Sequence, residues 1–132
     1  MCLDIYNKKN LRKRFAWRDI TCYKFLVRTD YVDYRTPYKN FKIEIGETYK
    51  SELVLTKYHE FYASVSQGIH SLETIKNVRA VIDGDFYESK ATDFVIVKCI
   101  IPRFSRYYVG EFVNQKSFAS DRLKYVEIID SL

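Results

Sequence analysis

The run Phe94 to Ile101, FVIVKCII, constrains this chain more than any other stretch. Its β-branched and apolar residues are nearly continuous, Lys98 alone interrupts them, and Pro102 ends them. The run is far too short to cross a membrane as a helix. It is therefore predicted to be a central strand covered on both faces. The 132 residues fit one domain. Around the central strand, Ile20 to Arg28 (ITCYKFLVR) reads as a second core strand. Phe41 to Ile45 alternates cleanly as a half-buried strand stopped by Gly46. Arg106 to Val109 and Leu123 to Ile129 read as two more strands. Thr29 to Pro37 is polar and ends in a Thr-Pro turn signal.

One helix is predicted. Leu72, Ile75, Val78, Arg79 and Ile82 recur at spacings of three and four, with Ser71 as N-cap and Asp83-Gly84-Asp85 as the end. Glu52 to Tyr62 fits either a helix face or a strand with a loop. The fold class is α+β: a small single domain, mostly antiparallel β-sheet with one or two helices. Aromatic residues make up 17% of the chain, twelve of them Tyr, which favours strands.

Charge is unevenly placed. Residues 1–18 carry Lys8, Lys9, Arg12, Lys13, Arg14 and Arg18 against Asp4 alone, while residues 19–132 carry sixteen basic and sixteen acidic residues. The net charge of +5 thus belongs to a basic N-terminal arm, 1–18, set apart from a neutral domain, 19–132. Leu11, Phe15 and Trp17 are its apolar anchors. Lys8, Lys9, Arg12, Lys13, Arg14 and Arg18 can neutralise phosphates while Trp17 stacks on bases. A solvated or protein-bound tail is the plainer alternative.

Cys2, Cys22 and Cys99 form no Cys-x-x-Cys pair and no Cys/His cluster. The charged start, Met1 to Asn10, lacks the apolar stretch of a signal peptide. The three thiols are therefore expected to be reduced, in a cytosolic protein. With only His59 and His70, and no cysteine near either, neither a metal nor a cofactor is expected. No dinucleotide fingerprint, phosphate-binding glycine loop or Gly-x-Ser-x-Gly elbow occurs.

Two segments are candidates for ligand binding. Gly68-Ile69-His70-Ser71 places a histidine after a glycine turn and before the predicted helix, where main-chain N–H groups can hold an anion. The plain alternative has Gly68 making the turn, His70 satisfying a buried carbonyl and Ser71 capping. Arg106, Tyr107 and Tyr108 can line a groove for a planar or phosphorylated ligand, or be half-buried residues of a strand edge. Tyr23 joins these as a candidate contact.

Several segments resemble, in order and spacing, a family of small proteins from gut Bacteroidales and their phages that carries no established activity. They are the opening Met1-Cys2-Leu3, Asp19 to Lys24, Thr36-Pro37-Tyr38, Ile45 to Lys50, Gly68 to Ser71, Val97 to Pro102, Tyr107-Tyr108 and Ala119 to Leu123. The resemblance implies a phage or mobile-element setting, hence the bacterial cytoplasm or a virion. Gly68 to Ser71, the helix after it, the strand Val95 to Ile101 and the last strand also resemble the order of an ADP-ribosyltransferase-like fold. That fold places a catalytic Glu near the start of a late strand. Here the region reads Ala119-Ser120-Asp121-Arg122-Leu123, and Glu127 lies deep in the strand, so the resemblance implies binding without catalysis.

Three functions follow as expectations. The first is a non-enzymatic phage or mobile-element accessory protein that binds a host or viral protein, for example against host defence. The second is a small-molecule or nucleotide-binding domain. The third is a structural virion component that associates through exposed strand edges.

Overall fold

The computed structural model describes residues 3–29, 33–60, 62–85 and 94–131. Cys2, one of the expected reduced thiols, lies outside them. Among the described residues, thirteen strands form one antiparallel sheet with a single α-helix. The strands are β1 (Leu3–Ile5), β2 (Arg14–Phe15), β3 (Ile20–Thr29), β4 (Asp33–Arg35), β5 (Lys42–Ile43), β6 (Thr48–Lys50) and β7 (Val54–His59). They continue with β8 (Tyr62–Gln67), β9 (Ile69–Leu72), β10 (Phe94–Ile101), β11 (Arg106–Phe112), β12 (Gln115–Ser120) and β13 (Arg122–Ser131). The helix α1 spans Ile75–Asp85. The chain is thus largely β, and the α+β expectation holds only in its coarser form: a small, mostly antiparallel domain with one helix.

The sheet runs β6-β13-β10-β3-β9-β12-β11-β1-β8-β7. The central run Phe94–Ile101 does pair on both edges, with β3 on one side and β13 on the other. Its near-continuous apolarity has a direct cause. Val95, Val97, Cys99 and Ile101 enter one core with Leu26, Leu123 and Tyr125. Phe94 and Ile96 enter another with Phe25 and the helix residues Val78, Val81 and Ile82. Val109 and Phe118 from β11 and β12 join the first core, so the sheet curls back over itself. Two register shifts between β10 and β13 aid that curvature.

Two sequence expectations need correcting. First, residues 3–18 are not an arm apart from the domain. Strand β1 lies between β11 and β8, and Leu3 and Ile5 are buried with Val65, Tyr108 and Ala119. Strand β2 pairs β11. The alternation Leu3-Asp4-Ile5 is a strand signal that the following basic residues mask in any charge count. Second, Ser71 is no helix cap. It sits in β9, opposite Phe118, and Thr74 begins the helix instead. The Asn77 N–H donates to Thr74 Oγ1 (3.1 Å) and the Thr74 N–H donates to Asn77 Oδ1 (3.1 Å). That reciprocal pair is a capping box with Asn in the usual place of Glu or Gln. The helix ends at Asp85, within the Asp83-Gly84-Asp85 stretch expected to end it. Glu52 to Tyr62, left open by its sequence, contains β7 and the start of β8.

Two tight features set the geometry. Val113 and Asn114 both have positive φ (51° and 62°) and join β11 to β12 in a two-residue turn of the primed type. The Val113 side chain packs against the helix core, which offsets the strain of a β-branched residue there. Gly110 is where β1 approaches β11: a Cβ there would run into the Asp4 carbonyl oxygen and the Leu3 side chain.

Candidate functional site

Strand β3 shares one edge between two partners, and the site lies in the fork. Along its other edge β3 pairs β10 from Ile20 to Val27. On the remaining edge β9 meets it at a single register pair, Tyr23 with Leu72. Strand β4 takes up the same edge from Val27, opposite Arg35. On this edge, among the described residues, residues 24–26 have no cross-strand partner between β9 and β4, and a pocket of about 410 Å³ opens there. That size suits a small ligand.

The walls come from four places. Lys24 and Phe25 form the floor, Gly68 to Leu72 one side, and Tyr49, Lys50 and Ser51 the other. The turn between β4 and β5 hangs over the mouth with Tyr38, Lys39 and Phe41. This turn is held by its own hydrogen bonds. The Thr36 N–H donates to the Phe41 carbonyl (2.9 Å), the Phe41 N–H to Thr36 Oγ1 (3.0 Å), and Arg35 to the Asn40 carbonyl (3.1 Å). Asn40 supplies the positive φ of 57° that the reversal needs. Tyr38 stands edge-on to Phe25 and Phe112, at 6.5 and 5.7 Å between ring centres. On the opposite wall Tyr49 stands edge-on to the buried Tyr125 at 5.5 Å, and its hydroxyl accepts the Glu44 N–H at 2.8 Å.

The electrostatics are one-sided. Lys24, Lys39, Lys42 and Lys50 line the pocket, and among the described residues no carboxylate does. Lys42 is paired with Asp33 and Glu44, both at 3.6 Å. Among the described residues Lys24, Lys39 and Lys50 make no ion pair. Lys24 is half-buried on a strand whose neighbours are apolar. Burial, with a smaller push from Lys39, brings its pKa down from 10.5 to about 8; the Cys99 and Cys22 sulfurs would raise it only if ionised. At neutral pH those sulfurs stay protonated: burial pushes the Cys22 thiol up to about 11 and Cys99 higher still. With a pKa of about 8, Lys24 is mostly charged at pH 7, and among the described residues no anion meets it.

His70 is buried, and burial, followed by repulsion from Lys24, lowers its pKa to about 3. It is neutral at pH 7. Its Nε2 has no hydrogen-bond partner, while a hydrogen bond to the Gly68 main chain favours the protonated form only weakly. Ser71 Oγ is likewise without a well-formed partner, and the neighbouring Cys22 thiol offers it only a weak contact. Gly68 permits this wall: it has φ of 152°, and a Cβ would press on Leu53 Cδ1 at 2.8 Å.

Of the residues singled out from sequence, Gly68, His70 and Ser71 share this pocket. His70 and Ser71 do so from β9 and Gly68 from the bend before it, not from a helix N-terminus, so no helix end reinforces them. The others lie elsewhere. Tyr23 packs on the helix side of the sheet. Tyr108 is buried with Leu3 and Ile5, and Tyr107 stands edge-on to Phe118. Arg106 lies over the Phe15 ring. Lys9 and Arg14 border a separate cleft, where Arg14 donates to Asn10 Oδ1 at 2.9 Å. Lys8 approaches Glu60 at 3.7 Å. Arg12, Lys13, Trp17 and Arg18 are exposed. Sequence reasoning passed over Lys24, Lys39, Lys50 and Tyr49. The signal for Lys24 was present, a lone charge inside the apolar strand ITCYKFLVR. The other three come together only through the fold.

Among the described residues no group of three or more His, Cys, Asp or Glu side chains gathers to hold a metal ion. Among the described residues no helix is long and apolar enough to cross a membrane. Comparison of the chain with protein-family models, with curated proteins and with solved structures found no match.

Proposed function

We propose that this chain is a binding domain for a small polyanion carrying a planar apolar group, the chemistry of a nucleotide. One observation carries the reading: among the described residues, three lysines without ion-pair partners line an apolar pocket to which no carboxylate contributes. Placing cations together with no anion costs free energy unless a ligand supplies the missing charge. Phe25, Tyr38, Phe41 and Tyr49 give the ligand's apolar part its surface.

The proposed role is retention of the ligand, not its conversion. In the phage or mobile-element setting implied by the sequence resemblance, a protein of this kind would act as an accessory factor that removes a host signalling nucleotide from circulation.

The test is native mass spectrometry of the protein purified from a bacterial host, followed by calorimetric titration of the stripped protein. The titrants are mononucleotides, cyclic dinucleotides and inorganic phosphate. A co-purifying nucleotide, or saturable binding that Lys24→Met and Lys50→Ala both abolish, supports the proposal. A clean mass together with no heat from any of these anions at low salt refutes it.

A further inference from the structure

A second surface, built from β2, the segment after it and the bend before β11, has no role in the pocket. Phe15, Trp17 and Phe104 cluster there: Phe15 and Trp17 meet edge-on at 4.6 Å between ring centres, and Phe15 and Phe104 lie 5.9 Å apart. Two of these rings are largely in solvent, Trp17 at 74% and Phe104 at 53% exposed. Large aromatics that escape burial in a domain with an ample core call for a reason.

The backbone sharpens the point. Phe104 has φ of 75°, a conformation that bulky residues rarely adopt. It is held there by neighbours on both sides. The Phe104 N–H donates to the Ala16 carbonyl (2.7 Å), and the Ala16 N–H donates to the Ser105 carbonyl (2.9 Å). The Arg103 N–H donates to Asp19 Oδ1 (2.8 Å). The fold thus holds a strained residue in place and turns its ring outward, the pattern of a functional position.

Guanidinium groups complete the surface. Arg106 lies 4.5 Å over the Phe15 ring and Arg103 4.5 Å over the Phe104 ring. Stacking fixes each guanidinium plane while leaving N–H groups at its edge free for an anion. The two nearby carboxylates are engaged by main-chain donors, Asp19 by the Arg103 N–H and Asp121 by the Arg106 N–H. Arg12, Lys13 and Arg18 add exposed positive charge from the same segment of chain.

We propose that this surface binds single-stranded nucleic acid, with the Trp17 and Phe104 rings stacking on bases and Arg103 and Arg106 contacting phosphates. Solvent-exposed rings beside fixed cations match an unpaired strand, whose bases are open to stacking. They do not match a duplex, whose bases are enclosed.

Trp17 is the chain's single tryptophan, so its fluorescence reports directly on the site. The full-length protein is titrated with an oligothymidylate of about twelve nucleotides, and binding is followed independently by anisotropy of a labelled strand. The expected result is quenching of Trp17 together with binding that weakens as salt rises. Trp17→Ala and Phe104→Ala should each weaken binding by about fivefold to 150-fold, the range for loss of one base stack. Trp17→Phe should retain most of it. Arg103→Ala with Arg106→Ala should flatten the plot of log affinity against log salt by about 1.4, for two lost phosphate contacts. No quenching at low salt, equal affinity for a duplex, unchanged affinity of Trp17→Ala, or binding only to an acidic peptide would each overturn the proposal. The pocket lysines are untouched by these variants, so the result is independent of the nucleotide titrations.

Discussion

Replacing Lys24 by methionine keeps an unbranched apolar stem and removes the ammonium. In the free protein that ammonium is held at a half-buried point of β3, where burial takes its pKa from 10.5 to about 8. At about 1.4 kcal/mol per pH unit, the charged side chain costs the fold about 3 kcal/mol at pH 7. The pH dependence has a definite sign. Between pH 8 and pH 10.5 the unfolded chain still holds the proton that the folded chain has released. Stability therefore rises with pH across that window and is lowest below it. Lys24→Met should be more stable than the parent at pH 7 by up to about 3 kcal/mol, and the advantage should disappear by pH 10.5. Urea unfolding at a series of pH values measures both quantities. The same variant should lose the nucleotide affinity proposed for the pocket, so stability and binding move in opposite directions. That opposition marks a functional charge kept at the expense of the fold. If Lys24→Met is no more stable at pH 7 and follows the parent's pH profile, Lys24 is not held as an uncompensated cation, and the argument for an anion site loses its basis.

The remaining expectations concern other parts of the molecule. His70 has a pKa of about 3 in the fold against 6.5 unfolded. The unfolded chain thus takes up a proton first as pH falls, and this residue withdraws about 5 kcal/mol of stability between pH 6.5 and pH 3. His70→Gln should flatten that part of the acid-unfolding profile relative to the parent; parallel profiles would show that His70 is not buried neutral. Gly110→Ala should cost about 3 kcal/mol or more, because its Cβ meets the Asp4 main chain and the Leu3 side chain. Gly46→Ala, with nothing within 4 Å, should cost only about 1–2 kcal/mol for its positive φ. Equal urea midpoints for the two variants would contradict the close approach of β1 to β11. Cys22 and Cys99 are cross-strand neighbours with buried thiols of raised pKa. Peptide mass spectrometry after iodoacetamide treatment should find both unmodified in the native protein and alkylated in urea. Rapid native labelling of either would argue against this packing.

Much of the framework is legible in the sequence because it rests on local signals. FVIVKCII is a central strand since an apolar run of that length with no periodicity needs cover on both faces, which the helix gives on one side and Val109 and Phe118 help to give on the other. The apolar spacing from Ile75 to Ile82 marks a helix face, since Val78, Val81 and Ile82 do pack on Phe25 and Phe94. The N-terminal segment misleads because net charge averages over residues with different jobs. Leu3 and Ile5 are core residues, Lys8 and Lys9 are exposed, and only β1's insertion between β8 and β11 reveals the difference. Ser71 misleads because Thr74 offers a better cap three residues later, leaving Ser71 free to continue β9.

By itself, then, the sequence determined the kinds of element, the central strand, the single clear helix face and the candidate status of Gly68, His70 and Ser71. Those follow from hydrophobic periodicity and turn chemistry, which act over a few residues. Only the tertiary structure decided what surrounds His70. Lys24, Lys39 and Lys50 are distant in the chain and carry no common motif, and they meet because β9 leaves the edge of β3 before β4 arrives. Likewise Phe104 meets Phe15 and Trp17 only because β2 pairs β11. Strand pairing is a long-range choice governed by which edges the whole sheet leaves open, and no local pattern in the sequence records it.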